Sequence, residues 1–588
     1  MKTTRNMTNL QIAALLQAVA AALELTPGDN LPAGRQVRFR IIAYERAADA
    51  IEHSSSEVKD LWDNGELKTL AGIGEGISGS LDELFRTGKV KHFDQILKPF
   101  PPAIFELMEI PGVGPKRAYK LAHELGISSV AQLEKAAKKG RIRNLEGMGE
   151  DSEKAILQGI TEYRGRSKRL LLDTAQNIAD SIITWLKKSP YVKQADSLGS
   201  LRRQLSTVGD VDLSVASDHP KEVMEHFKKY PQKSRVLEAG EHSASLILPN
   251  DYQVDLMVQP EAAYGSLLQH FTGSKHHNVA LREFALKKGL SLSEYGIKKA
   301  GKLLTFSDEK SFYNFMGLDW IPPELREGEN EIQLAKEHQL PKLVKLADIK
   351  GDLQIHSNFD VDPSHDLGQS SIEELVAQAK KQKYEYIGLT DHNPSVMNHS
   401  DKQIMEIIKR RSEKIEQYNS SRGLYVFNGL EIDLQPDGKR ALPDATLELL
   451  DYACVSIHSS FRLDRKSMTE RVLKGLAHPK VRFWAHPTAR LLGEREGIEA
   501  DWDQIFDFCV QNNKWLEIDG WPNRLDLPDV LVHEAIRQGV KIVVDTDAHA
   551  ADHLNFMRYG VAVARRGWAT QADIINTCSL GEMKKHFL

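Results

Sequence analysis

The sequence contains little cysteine and no long apolar run. Its three cysteines, Cys454, Cys509 and Cys578, are widely spaced and form no C-x-x-C pair. This excludes a disulfide framework and fits a reducing cytoplasm, where we expect the protein to reside. No stretch of membrane-spanning length is free of charges, so we expect no membrane partner. Near the N-terminus, Gln17 and Glu24 interrupt an apolar run whose spacing predicts an amphipathic helix rather than a signal peptide.

Low-complexity tracts and a large net charge are also absent. The formal net charge is −5 at pH 7, with 27% charged and 7% aromatic residues, which is the composition of a soluble globular protein. This balance argues against nucleic acid covering the whole surface, although it permits a local basic face. A chain of 588 residues exceeds what one core serves, so we expect several domains.

Helical patterns separated by glycine turns occupy the first 165 residues or so. Three turns share an apolar-x-Gly-apolar-Gly pattern, with glycine pairs at Gly72 and Gly74, Gly112 and Gly114, and Gly147 and Gly149. Glycine helix caps are one interpretation. The other is a phosphate site, because each following helix offers free N–H groups and a positive dipole end. The turns resemble helix-hairpin-helix motifs, which implies DNA-backbone contacts, including one from Lys116, and a monovalent cation held by hairpin carbonyls.

A pair of aspartates follows the turn at Gly209. On a strand, Asp210 and Asp212 would face the same side, because side chains alternate. Two such carboxylates repel each other unless a cation lies between them, although an acidic turn before a solvated strand is the simpler interpretation. A second alternating strand carries Asp255. Three carboxylates can hold two Mg²⁺ ions for phosphoryl transfer.

The residues around this triad suit a nucleoside triphosphate. Gly199 and Ser200 would begin a helix facing the phosphates, and Arg203 would add a planar charged group. Gly-Ser followed ten residues later by Gly-Asp-x-Asp resembles the nucleotidyltransferase signature of family X DNA polymerases. The resemblance implies Mg²⁺ or Mn²⁺ at Asp210, Asp212 and Asp255, with gapped or primed DNA and deoxynucleoside triphosphates as partners. It also implies triphosphate contacts from Gly199, Ser200, Arg203 and Gly209, sugar and base contacts from Phe271, Gly273 and Asn278, and a template contact from Arg282.

Three positions depart from that family's pattern. His270 stands where many relatives have Tyr, and Gln253 stands where many have Arg. These changes bear on sugar discrimination and rate more than on the reaction itself. Ser80 occupies the place of the Schiff-base lysine of eukaryotic DNA polymerase beta, and serine cannot perform that amine chemistry. We therefore predict no sugar-phosphate lyase activity from this position.

In the last 240 residues, apolar strand patterns repeatedly end in His, Asp or Glu. This arrangement is typical of the active face of a parallel β/α barrel. Mixed imidazole and carboxylate ligands suit Zn²⁺, Mn²⁺ or Fe²⁺. The pattern resembles the polymerase-and-histidinol-phosphatase (PHP) domain, a metal-dependent phosphoesterase on a distorted seven-stranded barrel. The resemblance implies Mn²⁺ or Zn²⁺ bound by His356, His392, Glu431, His458, His486, Asp547 and His549, with Asp391 adjacent.

Two features of this half remain open at the level of sequence. Gln354 replaces the first His of the family's His-x-His motif, and an amide is a poorer metal ligand than imidazole. The next ligand can be Asp360, Asp362 or His365, of which we favour Asp362. Arg490 and Arg524 can bind a substrate phosphate or form surface salt bridges.

The predicted fold is multidomain: helical at the N-terminus, α+β in a nucleotidyltransferase palm and thumb, and an α/β distorted (β/α)7 PHP barrel at the C-terminus. The expected units are a DNA-binding domain (1–90), fingers (91–168), a palm (169–260), a thumb (261–325), a linker (326–348) and the PHP domain (349–588). We predict a monomeric gap-filling repair polymerase of the bacterial PolX type with a 3′–5′ exonuclease or phosphoesterase activity. The alternatives are a polymerase whose PHP domain is structural, and a non-catalytic scaffold that binds DNA ends.

Overall fold

The computed structural model describes residues 9–26, 34–52, 58, 62, 67–69, 73–108, 110, 112–166, 169–249, 252–420, 424–493 and 495–587. Gly72, predicted to contact DNA, lies outside these residues. Within the described ranges, no helix is both long and apolar enough to cross a membrane.

The N-terminal part of the described chain is helical. Its helices are α1 (Asn9–Leu25), α2 (Gly34–Glu52), α3 (Glu75–Thr87), α4 (Lys91–Leu97), α5 (Ala103–Met108), α6 (Pro115–Leu125), α7 (Val130–Lys138) and α8 (Glu150–Arg166). Helix α1 buries Ile12, Leu16, Val19 and Leu23 on one face, which confirms the predicted amphipathic helix. Two separate cores form, one centred on α1 to α4 and the other on α5 to α8.

A five-stranded mixed sheet in the order β2-β4-β7-β6-β5 follows the helices. The strands of this sheet are β2 (Gln194–Ser197), β4 (Val211–Ala216), β5 (Arg235–Ala239), β6 (Ser243–Ile247) and β7 (Gln253–Gln259). Strands β1 (Leu170–Leu171) and β3 (Thr207–Val208) pair in a separate two-stranded sheet. Helices α9 (Leu172–Leu186), α10 (Gly199–Arg202) and α11 (Pro220–Phe227) accompany the sheet. Strands β4 and β7 are parallel neighbours at its centre, and Val211, Leu213 and Val215 of β4 are fully buried. The acidic pair therefore lies at the start of a strand whose apolar side chains are buried in the core.

The next segment joins helices to a small antiparallel sheet. It contains α12 (Tyr264–Thr272), α13 (Lys275–Leu286), β8 (Leu290–Ser293), β9 (Gly296–Lys299), β10 (Lys302–Leu304), α14 (Glu309–Phe315) and α15 (Glu331–Glu337). Its core packs α13, α14 and α15 around Phe312 and Tyr313. A short 3-10 helix, Pro323–Leu325, precedes α15.

The C-terminal part contains two parallel sheets, β11-β12-β13 and β14-β15-β16-β17-β18. The strands are β11 (Gly351–Ile355), β12 (Tyr386–Leu389), β13 (Tyr425–Asn428), β14 (Glu431–Asp433), β15 (Ala453–Ser456), β16 (Val481–Trp484), β17 (Trp515–Asp519) and β18 (Lys541–Asp545). The helices are α16 (Ile372–Lys381), α17 (Asp401–Ser420), α18 (Arg465–Leu476), α19 (Trp502–Asn512), α20 (Asp529–Arg537), α21 (Met557–Arg566) and α22 (Leu580–Phe587). Isolated parallel bridges connect the two sheets on both sides, between His392 and Glu431 and between Ile355 and Ala548.

Candidate active sites and DNA-binding turns

Three aspartates gather at one end of the central parallel pair. Asp212 of β4 and Asp255 of β7 are direct register partners, and Asp210 immediately precedes β4. Burial, together with the negative charges of Asp255 and Asp210, raises the pKa of Asp212 to about 7. The three carboxylates thus repel one another, and a bound cation relieves such repulsion. The donor set fits divalent cations that prefer oxygen ligands.

Neighbouring residues hold the third carboxylate in place. Asp255 accepts a hydrogen bond from the Ser245 hydroxyl, and the Gln253 amide lies 3.0 and 3.2 Å from its two oxygens. Gln253 therefore orients Asp255 from the same face of β7. It does so without the positive charge that arginine would bring.

Gly199 lies so close to the triad that no larger residue would fit there. Its φ is +56°, and an added Cβ would lie 2.6 Å from Asp212 Oδ2. The preceding Leu198 N–H donates to the Asp212 carbonyl at 2.8 Å. Ser200 follows in α10, and Gly209 is exposed in the turn between β3 and β4. Both lie on segments adjoining the aspartates.

Arg203 and Gly273 are also in contact. The Arg203 guanidinium donates to the Thr272 carbonyl at 2.6 Å and to Glu327 at 3.1 Å. Gly273 has a φ of +67°, and a Cβ there would lie 3.1 Å from Arg203 Nη1. The predicted triphosphate arginine is therefore oriented by the residues that follow the sheet.

The remaining predicted nucleotide and template residues lie on α12 and α13. Asn278 donates to the His270 carbonyl at 2.7 Å, and the Phe271 ring lies 4.8 Å from the His270 ring. Arg282 is exposed on α13. Burial chiefly lowers the pKa of His270, and the Arg282 charge acts in the same direction. A lowered pKa favours the neutral form of the His270 imidazole near pH 7, although the charge of Glu294 opposes the shift.

A buried ion network beside Arg203 escaped sequence reasoning. Glu309 accepts from Arg202 at 2.8 and 2.9 Å and from Arg326 at 2.6 Å. Although burial opposes the charge of Glu309, the two arginines lower its pKa to about 2. Arg202 and Glu309 are 107 residues apart, so no local spacing signals their pairing.

A second cluster of ligand-type side chains lies at the ends of the C-terminal strands. Within the described chain it divides into four overlapping groups of three: His356, His392 and His549; His356, Glu431 and Asp547; His392, Glu431 and His458; and His365, Asp433 and His458. Glu431 is central, with His356 Nε2 at 3.2 Å and His486 Nε2 at 3.1 Å from its oxygens. The structure thus brings together all seven ligand positions taken from the strand ends.

The electrostatics of this cluster suit a cation. Although burial opposes its charged form, the carboxylates of Asp547 and Glu431 raise the pKa of His356 to about 10. The buried Nδ1 atoms of His356, His392 and His486 have no hydrogen-bond partner. Buried imidazole nitrogens facing carboxylates form the donor set of a Zn²⁺ or Mn²⁺ site. The residues present therefore fit bound metal.

Gln354 lies within the cluster as a hydrogen-bond donor. Its Nε2 lies 3.1 Å from Glu431 Oε2 and 3.3 Å from Asp547 Oδ1, while its buried Oε1 has no partner. The Gln354 amide therefore contacts two carboxylates of the cluster but does not neutralise the negative charge of either.

The structure does not bring Asp362 into the cluster. Asp362 lies in an exposed turn with a φ of 47°, and its carboxylate is 3.4 Å from His399. His365 instead lies 3.0 Å from Asp433 and forms one of the groups above. Asp366, which sequence reasoning also missed, lies 3.6 Å from His392 and 3.3 Å from His549. Beyond Asp362 the loop therefore brings His365 and Asp366 to the cluster.

Asp391, Arg490 and Arg524 have structural contacts. Buried Arg411 donates to Asp391 at 2.6 Å. Arg490 donates to the carbonyls of Arg524 and Leu525. The Arg524 guanidinium lies 3.6 Å from Asp519. The two arginines are therefore mostly engaged with the protein itself, and neither forms a surface salt bridge.

The described glycine turns all precede helix N-termini. Gly74 and Gly114 are the residues before α3 and α6, and Gly149 directly precedes α8. Gly112 and Gly147 have φ values of +81° and +75°, a conformation that favours glycine. Their candidate Cβ positions are open, so another backbone can approach. The Lys116 side chain is 79% exposed beside the second turn and lies 3.8 Å from Glu24.

An acidic triad near a guanidinium, a histidine–carboxylate cluster and glycine turns at helix N-termini define a metal-dependent enzyme of phosphate-ester chemistry. Four regions match known families: a helix-hairpin-helix domain (residues 7–90), a SAM-like helix-hairpin-helix tandem (104–162), the DNA polymerase beta thumb (267–327) and the PHP domain (352–520). The expected helix-hairpin-helix, thumb and PHP domains are therefore confirmed.

Comparison with whole proteins extends this result. The chain is 33% identical over 575 residues to the Bacillus subtilis DNA polymerase/3′-5′ exonuclease PolX, covering 97% of each chain. It is 24% identical to rat (Rattus norvegicus) DNA polymerase lambda over 54% of this chain and 56% of that one. A probable phosphatase of Thermoanaerobacter sp. matches at 23% over 37% of this chain and 87% of its own length. The chain belongs to the PolX family of DNA polymerases with a PHP domain, as the sequence predicted.

Proposed function

We propose that the protein fills short gaps in DNA during repair by adding deoxynucleotides, and that its PHP domain removes nucleotides from 3′ ends. The polymerase part of this proposal rests on the register pairing of Asp212 with Asp255 and on the position of Asp210 one residue before β4. Asp210, Asp212 and Asp255 would hold Mg²⁺ or Mn²⁺; a bound ion would supply activation of the primer hydroxyl and stabilisation of the charge of phosphoryl transfer.

The chain's own residues would place the reactants around these aspartates. Gly199 allows its backbone to pass directly beside Asp212, because a Cβ there would lie 2.6 Å from Asp212 Oδ2. Arg203, with Ser200 and Gly209 nearby, would bind the triphosphate. Phe271, Gly273 and Asn278 would then position its sugar and base, and Arg282 would contact the template. The helix-hairpin-helix turns, including Lys116, would bind the sugar–phosphate backbone of gapped DNA without reading sequence.

The PHP domain is proposed to be the degradative centre, built on a seven-stranded barrel. Two observations support a barrel: bridges connect both sides of its two sheets, and only two residues separate β13 from β14, so these can count as one bent strand. We propose Mn²⁺ or Zn²⁺ as its metal, and His365 rather than Asp362 as its early ligand. We retain the predicted domain limits and a monovalent cation at the hairpin carbonyls as part of this proposal.

A gapped-duplex assay tests both activities in one gel. Purified protein is incubated with a labelled primer across a gap, with and without nucleotides, in Mg²⁺ and in Mn²⁺. We expect extension with nucleotides and shortening without them. Asp210→Ala and Asp212→Ala should stop extension only. Asp218→Ala removes an exposed carboxylate that pairs with Lys193 in the same region and serves as the matched control. Extension by the Asp210 and Asp212 variants would refute the polymerase site.

Gln354 favours one competing function, in which the PHP domain is structural. Its amide donates to Glu431 and Asp547 where an imidazole would serve as a ligand. Metal content by mass spectrometry, measured beside nuclease assays of His458→Ala, separates the two functions. Bound metal and Mn²⁺-stimulated degradation that depends on His458 support the exonuclease. Metal-free protein without degradation supports the structural alternative.

A further inference from the structure

Helix α21 of the C-terminal domain reaches the predicted triphosphate arginine through Arg566. Arg566 Nη1 donates to the Arg203 carbonyl at 2.9 Å and to Glu327 Oε1 at 2.8 Å. Its Nε donates to Asp529 Oδ2 at 2.7 Å. The Arg566 side chain is only 9% exposed. One guanidinium therefore holds both the backbone of Arg203 and the carboxylate that pairs with the Arg203 side chain.

The side chain of Arg203 is fixed on two edges. Its Nε donates to Glu327 at 3.1 Å, and its Nη1 donates to the Thr272 carbonyl at 2.6 Å. Nη2 donates to none of the described residues, so this nitrogen remains for an anion. The charge of Arg203 partly offsets the rise in the pKa of Asp212 that burial and the neighbouring aspartates cause, so the two side chains interact electrostatically. The direction of the guanidinium thus depends on where Glu327 is held.

We propose that Arg566 is a positioning residue for nucleotide insertion, supplied by the PHP domain to the polymerase site. This role rests on the proposed contact between Arg203 and the triphosphate. Glu327 shares its charge between two guanidinium groups, which leaves Arg203 with positive charge to offer a phosphate. Without Arg566, Glu327 would pair with Arg203 alone and compete with the triphosphate, and the Arg203 backbone would lose one of its hydrogen bonds.

The neighbouring residue Arg565 provides a matched control. It lies on the same helix and donates to Glu324 at 2.8 Å and to the Val344 carbonyl at 2.9 Å. Arg565 therefore binds the same stretch of chain to the C-terminal domain, with no hydrogen bond to Arg203 or Glu327. Replacing it removes an arginine contact of similar kind and leaves the triphosphate arginine undisturbed.

The experiment measures insertion of one nucleotide into a one-nucleotide gap, with the triphosphate concentration varied. We expect Arg566→Gln to raise the KM for the nucleotide about tenfold, a common effect of losing a charge-assisted contact. Arg566→Lys should raise KM less, because an ammonium keeps the charge but cannot copy the planar geometry. Arg565→Gln should leave KM unchanged. The Kd for gapped DNA and the exonuclease rate should be the same in all variants.

Asp529→Asn gives a second approach that does not depend on the folding of Arg566→Gln. It loosens Arg566 from the opposite side without touching Arg203 or Glu327, and we expect an intermediate rise in KM. An unchanged KM in Arg566→Gln or in Asp529→Asn would overturn the proposal. Equal effects of Arg565→Gln and Arg566→Gln would do the same, since they would indicate general domain docking. Failure of the wild-type protein to insert nucleotide would overturn the proposed polymerase function itself.

Discussion

Asp212 and Asp255 are direct register partners on two neighbouring parallel strands, and burial together with the charge of Asp255 raises the pKa of Asp212. Replacing Asp212 with Asn removes a ligand charge and keeps the shape. We expect nucleotide insertion to fall more than about 100-fold, the upper end for losing a group that only supports a ligand. Exonuclease activity should not change, because the PHP cluster is built from other strands. Single-turnover insertion kinetics measure the first effect, and shortening of the same primer without nucleotides measures the second.

The position of His365 leads to a prediction about metal content. His365→Ala removes an imidazole that lies 3.0 Å from Asp433 within the ligand cluster. We expect less bound Mn²⁺ or Zn²⁺ by mass spectrometry and slower degradation of DNA. Asp362→Ala is the matched control, since Asp362 contacts His399 outside the cluster. Loss only in Asp362→Ala would return the assignment to Asp362, and equal loss in both variants would contradict the choice of His365 over Asp362.

The comparison of His365 with Asp362 also shows which ligands can be predicted from the sequence. A ligand at a strand end, such as His356 after β11, could be predicted because a buried strand fixes where its next side chain points. Asp360, Asp362 and His365 lie in a loop, where spacing alone does not reveal which residue folds back. The choice depends on Asp433 and His458, which arrive from strands far along the chain.

Ion pairs between residues far apart in the chain set a second limit on what can be predicted from the sequence. The aspartate triad could be predicted because strand alternation is local and a second alternating strand carries the third carboxylate. The bonds from Arg202 to Glu309 and from Arg566 to Glu327 join residues that are 107 and 239 apart. Both depend on how whole segments pack together. No periodicity in a single sequence records that packing.

The buried carboxylate Glu309 leads to a prediction about stability. Glu309→Gln leaves the buried Arg326 and the half-buried Arg202 without their shared anion. We expect the free energy of unfolding to fall by about 3–5 kcal/mol at neutral pH, as it does when one partner of a buried ion pair is removed. Calorimetry at pH 7.5 should show a lower transition temperature for the polymerase region. Glu337→Gln, an exposed glutamate on α15, should change stability by no more than about 0.5 kcal/mol.

The same carboxylate predicts how this loss varies with pH. The pKa of Glu309 is lowered from its ordinary value of 4.5 to about 2 in the folded protein. A lowered carboxyl pKa stabilises the fold fully above the unfolded value and loses that effect as pH falls through the folded value. The difference between wild type and Glu309→Gln should therefore shrink as the pH falls from 4.5 towards 2. A difference that grows over that range would contradict the ion network.

The second glycine turn leads to a prediction about DNA binding. Gly112→Ala places a side chain at a φ of +81°, which strains the turn even though its Cβ would meet open space. Lys116→Ala removes one exposed charge without altering the backbone. We expect both variants to weaken gapped-DNA binding at all sequences, measured by fluorescence anisotropy.

Salt titration separates the two causes and tests the phosphate interpretation. Lys116→Ala should reduce the slope of log affinity against log salt by about 1, because one phosphate contact and its counterion release are lost. Gly112→Ala should weaken binding by moving the turn's N–H groups, with a smaller change in slope. Lys98→Ala removes another exposed lysine of the helical region, outside the three glycine turns, and is the control. An unchanged slope in Lys116→Ala would mean that this turn only caps its helix. The loss of a cation that contacts a phosphate must change the salt slope.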